Sequence, residues 1–180
     1  MRHLLVGLAL AHGLLTAQAP ATGLQLSHAL EGNWTGTLEY RDYAEPASSE
    51  KRVKLPTWLK VTPAAGDLRF EYIYDDGPEK VVREVSTVRI DTAGAVYSVV
   101  GSDGKVQDRY AVAGLGDLKE GRGTLTLTGP GTENKLPVNV RTTIRIRRNL
   151  LEILRETGAA GEPLHFRHLY TFVRALAPAK

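Results

Sequence analysis

The histidines and tyrosines near the end of this 180-residue chain are the side chains best suited to chemistry. His165 and His168 lie three positions apart in a segment that alternates as a β-strand does. Side chains at that spacing on a regular strand point to opposite faces, so the two imidazoles cannot bind one metal ion together without a bulge. We therefore predict no metal site. His168 is either a half-buried structural histidine or a polar anchor in a cavity.

Motifs of the common enzyme classes are missing from the sequence. The chain has no cysteine, which excludes disulfides, thiolate zinc sites and cysteine nucleophiles. It also lacks G-x-S-x-G, a Walker loop and H-E-x-x-H, the spacings that place a nucleophile, a phosphate cradle or a catalytic zinc. We assign no catalytic residue and no cofactor, and the sequence favours a binding protein over an enzyme.

The composition is that of one globular domain. At 42% hydrophobic residues, a chain of this length can bury one complete core. The formal net charge is only +3, which argues against a dedicated nucleic-acid binder. We therefore predict no nucleic-acid partner.

The histidines and tyrosines must be positioned by β-strands. Apolar and polar residues alternate with period 2 from Trp34 to Arg174, the pattern of strands. No helical period is sustained after Ser27. Segment 149–156 is either a two-turn helix capped by Asn149 or, as we prefer, another strand. The other predicted strands cover residues 34–41, 52–61, 68–74, 80–91, 95–100, 105–113, 123–128, 138–147 and 164–174.

About ten short antiparallel strands in one domain form a sandwich or a barrel. Closure removes the exposed edges of such a sheet. We therefore predict an all-β fold, a single antiparallel up-and-down β-barrel of about ten strands. In that barrel the first and last strands pair, which brings Trp34 next to Arg174, where a guanidinium can stack on an indole.

The opening of the first strand carries a family resemblance. Gly32-Asn33-Trp34 resembles the G-x-W motif of the calycin superfamily, which includes the lipocalins, fatty-acid-binding proteins and avidins, and Arg174 resembles the basic residue that these proteins place over the tryptophan. The resemblance implies a bacterial lipocalin-like or fatty-acid-binding-protein-like barrel that holds a small apolar or amphipathic molecule. His168-Leu169-Tyr170 stands where fatty-acid-binding proteins carry R-x-Y, so an imidazole replaces a permanent cation.

The alternation also assigns a set of side chains to the barrel interior. A barrel of about ten strands has more interior than side chains fill, so its inward aromatic residues should line a cavity. Below about pH 6.5, where an imidazole ordinarily becomes cationic, affinity for an anionic ligand should rise. The predicted ligand-binding residues are Trp34, Tyr40, Phe70, Tyr72, His168 and Tyr170.

The N-terminus reads as a secretory signal. A basic start, an apolar run from Leu4 to Leu15 and small residues up to Ala21 are typical of a cleaved signal peptide and are too short to span a membrane. We predict a signal peptide over residues 1–21 and a barrel domain over 22–180, with an irregular lead-in before Trp34. With no lipid-bearing cysteine, the expected location is periplasmic or secreted.

Three functions are compatible with this sequence. The leading one is a barrel that binds a small hydrophobic or amphipathic molecule. The alternatives are an enzyme on the same barrel that uses His168 and a tyrosine, and a structural envelope module whose interior is packed solid. The identity of the ligand, the oligomeric state and the end of the barrel through which a ligand enters are not determined by the sequence.

Overall fold

The computed structural model describes residues 19–45 and 49–175. Of the predicted signal peptide, residues 1–18 lie outside the described residues, and residues 19–21 begin a helix, α1. The extent of the signal peptide therefore stays a prediction.

The described chain forms a closed antiparallel barrel of ten strands. Each strand pairs with the next one in sequence, and β1 closes the barrel by pairing with β10. The predicted all-β barrel is confirmed, and the ambiguous segment 149–156 is a strand. The strands are β1 Gly32–Arg41, β2 Arg52–Ala64, β3 Asp67–Asp75, β4 Val81–Asp91, β5 Val96–Val100, β6 Val106–Ala113, β7 Gly123–Glu133, β8 Leu136–Ile146, β9 Leu150–Gly158 and β10 His165–Arg174.

Alternation along the strands separates the interior from the surface. On β2, Leu59 and Val61 are buried, while Trp58 and Lys60, which alternate with them, are exposed. Successive side chains of a strand point to opposite faces, so one phase of each strand fills the barrel and the other meets water. The period-2 pattern was therefore sufficient to locate the strands.

Helix α1, Ala19–Leu30, closes one end of the barrel. The predicted irregular lead-in before Trp34 was wrong, because these residues form a helix. Leu26, Ala29 and Leu30 are buried in the core, at the spacing of one helical face. A helix of 12 residues is marginal by itself in water, so its packing against the barrel stabilises it. In the described part of the chain, no helix has the length and apolar character needed to cross a membrane.

The seam between β1 and β10 also holds this helix. Trp34 and Arg174 are paired in register, with the guanidinium 4.1 Å from the centroid of the indole ring. Trp34 Nε1 donates a hydrogen bond to the carbonyl of Leu30 at 2.9 Å, and Arg174 donates to those of Ala29 and Glu31 at 2.7 and 2.6 Å. Carbonyls at a helix C-terminus lack intrahelical partners and carry partial negative charge. The residues at which the barrel closes therefore also cap α1.

In the barrel wall opposite this seam, the strands pair over fewer residues than in the rest of the barrel, so the wall is lower there. On its β5 side, β4 pairs only from Thr87 to Asp91, and β6 pairs with β7 only from Ala111 to Ala113. Among the described residues, positions 81–86 of β4 thus have no strand partner on that side. We call this part of the wall the low side. It adjoins the open end of the barrel, the mouth, which lies opposite α1.

Candidate functional site

The barrel interior contains a cavity of about 240 Å³. Leu30 of α1 forms part of its floor, and the apolar wall includes Phe70, Leu125, Ile144 and Ile146. The volume exceeds the roughly 150 Å³ of a cavity that binds benzene, and it is below the roughly 300–1,000 Å³ typical of drug-sized ligands. The cavity therefore has room for a single ring or a short chain.

Polar side chains line the same cavity toward the mouth. They come from four strands that lie on opposite sides of the barrel. Their hydroxyl, imidazole, carboxylate and guanidinium groups are those that orient a ligand in an otherwise apolar pocket. The main members of this polar set are Glu84 on β4, Asp108 on β6, Arg155 on β9, and His168 and Tyr170 on β10.

The six residues predicted to bind a ligand occupy three levels of the barrel. Four of them, Phe70, Tyr72, His168 and Tyr170, line the cavity. Tyr40 lines a wider pocket of about 380 Å³ at the mouth, which shares Glu84, His168 and Tyr170 with the cavity. Trp34 lies below the cavity, bonded to the carbonyl of Leu30. The structure thus brings four of the six together, and the ligand-binding role of all six stays a prediction.

A hydrogen-bonded chain crosses the mouth from β4 to β10. The Tyr74 hydroxyl donates to the Glu84 carboxylate at 3.1 Å and lies 2.9 Å from the Tyr170 hydroxyl. The ring of Tyr72 packs against that of Tyr170, with centroids 5.2 Å apart. Burial raises the pKa of Tyr170 to about 12, so its hydroxyl stays protonated at neutral pH. Because Tyr74 donates its proton to Glu84, Tyr170 donates to Tyr74 and offers a ligand its acceptor lone pairs.

His168 stays neutral in this environment. Its ring meets that of Tyr170 edge to face, with centroids 5.2 Å apart. Burial, followed by the positive charges of Arg155 and Arg167, lowers the pKa of His168 to about 3. The expectation that this imidazole becomes cationic below pH 6.5 was therefore wrong, because the sequence alone showed neither the burial of His168 nor the approach of Arg155 from the adjoining strand. His168 offers a hydrogen bond to a ligand, and no charge.

The lowered pKa has a consequence for stability. The unfolded chain takes up a proton at this histidine below about pH 6.5, while the folded chain does so only near pH 3. Stability is therefore lost as the pH falls through that window. His168→Gln should remove about 1–2 kcal/mol of the loss in unfolding free energy between pH 7 and pH 5, as measured by urea denaturation at both pH values.

The matched control for this prediction is His165→Gln, because His165 is an exposed residue on the same strand. The control should show the same decrease in stability as the unsubstituted protein. An equal decrease in His168→Gln would mean that His168 is protonated in the folded protein.

Arg155 is the interior cation that the sequence analysis missed. Its Nη2 donates to the Tyr110 hydroxyl at 3.4 Å, and among the described residues no carboxylate forms an ion pair with it. By contrast Arg141, on the outer face, makes two hydrogen bonds to Glu156 at 2.8 and 3.0 Å. Arg155 is in phase with Leu151 and Ile153, and this parity was the available signal.

Two glycines on β7 face the interior beside Tyr110, Val140 and Arg155. A Cβ at Gly131 would lie 2.6 Å from Val140 Cγ2 and 3.5 Å from Arg155 Nη2. A Cβ at Gly129 would lie 3.0 Å from the Tyr110 ring. The contacts with Val140 and Tyr110 are short enough that these side chains would have to shift, whereas 3.5 Å from the guanidinium is an ordinary contact. The glycines of β7 thus leave room for Val140 and for the phenol that accepts from Arg155.

Tyr43, just after β1, covers one side of the mouth. A bulge in β10 lies between Phe166 and His168. Arg167, within it, has its Nε 3.1 Å from Glu133 and its guanidinium 4.5 Å from the centroid of Tyr43. The Tyr43 hydroxyl also donates to Glu133 at 3.4 Å. On the low side, Glu84 lines both the cavity and the wider pocket at the mouth.

Within residues 19–45 and 49–175, no group of three acidic or histidine side chains is placed to hold a metal ion. The polar set therefore combines one guanidinium, two carboxylates, a neutral imidazole and phenol hydroxyls around an apolar cavity. These groups can orient an organic molecule by hydrogen bonds and charge.

Comparison with known proteins supports the fold. No protein-family model matches the chain. No curated protein matches it either. Among solved structures it is similar to the crystal structure of Rv2717c from M. tuberculosis, with a TM-score of 0.58 and 14% identity over 86% of this chain and 98% of that chain. At this level of identity the similarity extends to the fold alone, a closed antiparallel barrel in this chain.

Proposed function

We propose that this protein binds a small apolar or amphipathic molecule inside its barrel, as a calycin-like binding protein. The observation that carries the proposal is the cavity of about 240 Å³, with an apolar floor formed partly by Leu30 and polar groups at its mouth. A concave apolar site with a few convergent polar groups is the usual form of a small-molecule site.

Two further observations favour binding over the alternatives. A barrel packed solid would leave no space of this size inside its walls. An acid–base pair works best when its pKa values lie near the operating pH, whereas burial lowers the pKa of His168 to about 3 and raises that of Tyr170 to about 12. Both groups are better suited to hydrogen bonding than to proton transfer.

The calycin part of the proposal depends on the first and last strands. The stacking of Arg174 on Trp34 at 4.1 Å supports the resemblance of Gly32-Asn33-Trp34 to the calycin motif. The N-terminal sequence supports a periplasmic or secreted location.

The cavity can be tested by filling it from its own wall. Ser86 lines the cavity on the low side of the barrel, where β4 has no strand partner on its β5 side. Prodan is a neutral dye whose emission shifts to the blue on leaving water, and its two-ring body would extend from the cavity into the adjoining pocket of about 380 Å³ at the mouth. Ser86→Trp should lower the affinity for prodan by at least about tenfold, because the indole would occupy part of the volume in which the dye binds. Fluorescence titration of the purified protein measures the change.

The control is the adjacent residue on the opposite face. Val85 is 47% exposed on the outer side of β4, so Val85→Trp adds the same bulk outside the cavity and should leave the affinity unchanged. Equal affinity in both variants would place the dye elsewhere on the protein. The absence of any titration with the unsubstituted protein would contradict the proposed function.

A further inference from the structure

Building on the proposed function, we infer that the bound molecule ends in both an ammonium and a carboxylate group, attached to a small apolar body. The inference comes from charges of both signs that line one cavity on opposite strands. Glu84 lies on β4 and Arg155 on β9, five strands apart in either direction around the barrel of ten.

The acidic side of the mouth has no cation of its own. Glu84 and Asp108 both line the cavity, and in the described part of the chain neither forms an ion pair with a lysine, an arginine or a histidine. Glu84 accepts one hydrogen bond, from Tyr74 at 3.1 Å, and so keeps lone pairs that face the mouth. An ammonium on the ligand would supply the missing positive charge.

On the basic side of the mouth, Arg155 forms no ion pair with any carboxylate of residues 19–45 and 49–175. The long contact of Arg155 with Tyr110, at 3.4 Å, leaves most of its five N–H donors for another partner. A guanidinium binds a carboxylate through two parallel hydrogen bonds. Arg167, at the mouth, already forms an ion pair, with its Nε 3.1 Å from Glu133.

Tyr170 lies between the two sides. Two hydrogen bonds in series, of 3.1 and 2.9 Å, link Glu84 through Tyr74 to the Tyr170 hydroxyl, while Arg155 is directly opposite His168 on the adjoining strand. A ligand head group near Tyr170 is therefore within reach of both charges.

A ligand with a single charge would leave one side of the mouth without a partner. A lone anion would be repelled by Glu84 and Asp108, and a lone cation would leave the half-buried Arg155 without a counter-ion. Glu84 is exposed, so the cost of an unpaired charge falls mainly on Arg155. A head group with both charges meets both sides. The floor around Leu30 and Ile146 then takes the apolar body.

Four compounds with the same phenyl body test the inference at pH 7. L-phenylalanine carries both charges, phenethylamine only the cation, 3-phenylpropanoate only the anion and 3-phenyl-1-propanol none. We expect isothermal titration calorimetry to show that L-phenylalanine binds at least about tenfold more tightly than any of the others, because each charged hydrogen bond adds affinity.

Variants identify the group that recognises each charge. Glu84→Gln should weaken L-phenylalanine and phenethylamine at least about fivefold and leave 3-phenylpropanoate unchanged. Arg155→Met should weaken L-phenylalanine and 3-phenylpropanoate and leave phenethylamine unchanged. Arg155→Lys keeps the charge and loses the paired hydrogen bonds, so it should retain only part of the affinity for the two carboxylate compounds. The controls are Arg145→Met and Glu152→Gln, an ion pair at 3.9 Å on the outer face of β8 and β9, which should change nothing.

Each contrary result has a distinct meaning. If the alcohol or a singly charged compound binds most tightly, or if none of the four binds to a protein that still binds prodan, the inference is wrong and the proposed function stands. If neither prodan nor any of the four compounds binds, both are wrong. If Glu84→Gln and Arg155→Met each weaken all four compounds equally, the substitutions disturb the folded cavity as a whole. Recognition of the two charges by these side chains is then contradicted.

Discussion

Replacing Trp34 with alanine is expected to lower the free energy of unfolding by about 3–5 kcal/mol, the usual cost of truncating a large buried aromatic side chain. Trp34 is 1% exposed, and its indole contacts Arg174 and donates to the carbonyl of Leu30. The substitution would open a cavity and remove a cap of α1 together. Urea denaturation followed by far-UV circular dichroism measures the change.

The other tryptophan of the chain is the matched control. Trp58 lies on the outer face of β2 and is 44% exposed, so Trp58→Ala should cost about 1 kcal/mol or less. Similar losses for the two substitutions would mean that Trp34 does not hold the helix and the seam together.

The second large effect is expected at Gly36, which is paired with Phe172 where β1 lies beside β10. A Cβ built on Gly36 would overlap the carbonyl oxygen of Thr171 and lie 2.9 Å from the Cα of Phe172. These neighbours are backbone atoms of the paired strand, so they cannot move aside as a flexible side chain does. Gly36→Ala should therefore destabilise the protein by about 1–3 kcal/mol, the usual range for overpacking, or by more.

Gly116, in the short 3₁₀ turn Leu115–Asp117, is the control for this prediction. A Cβ at Gly116 would meet no atom within 4 Å, so Gly116→Ala should change the unfolding free energy by less than about 0.5 kcal/mol. Hydrogen exchange of the β1 and β10 amides would locate the effect. Unchanged protection of those amides in Gly36→Ala would contradict this account of the seam.

The strands were predictable because their signal is local. Alternation such as that of Trp58, Leu59, Lys60 and Val61 records which side of the sheet each residue faces, and the barrel preserves it. The contact between Trp34 and Arg174 followed from strand order, since the first and last strands of a closed up-and-down barrel are neighbours. The inward positions of Phe70, Tyr72, His168 and Tyr170 followed from the same parity.

The polar half of the candidate site could not be predicted with the same ease. Glu84, Asp108 and Arg155 are in phase with inward residues of their strands, but a charged residue in a strand is usually exposed to water. Glu84 and Asp108 lie on the low side, where β4 lacks a partner on its β5 side and β6 pairs only briefly with β7. These features arise when strands of unequal length close on one another.

Strand positions, strand order and the parity of each side chain were thus determined by the amino-acid sequence alone, because all three depend on neighbours along the chain. The tertiary structure decided the rest. It folded residues 19–30 into a helix that is stabilised by burying Leu26 and Leu30 in the barrel. It also lowered the pKa of His168 by burial and by placing Arg155 opposite it, in addition to the charge of its sequence neighbour Arg167. Burial and the approach of Arg155 depend on residues that are not adjacent in sequence, and only the folded barrel brings those residues together.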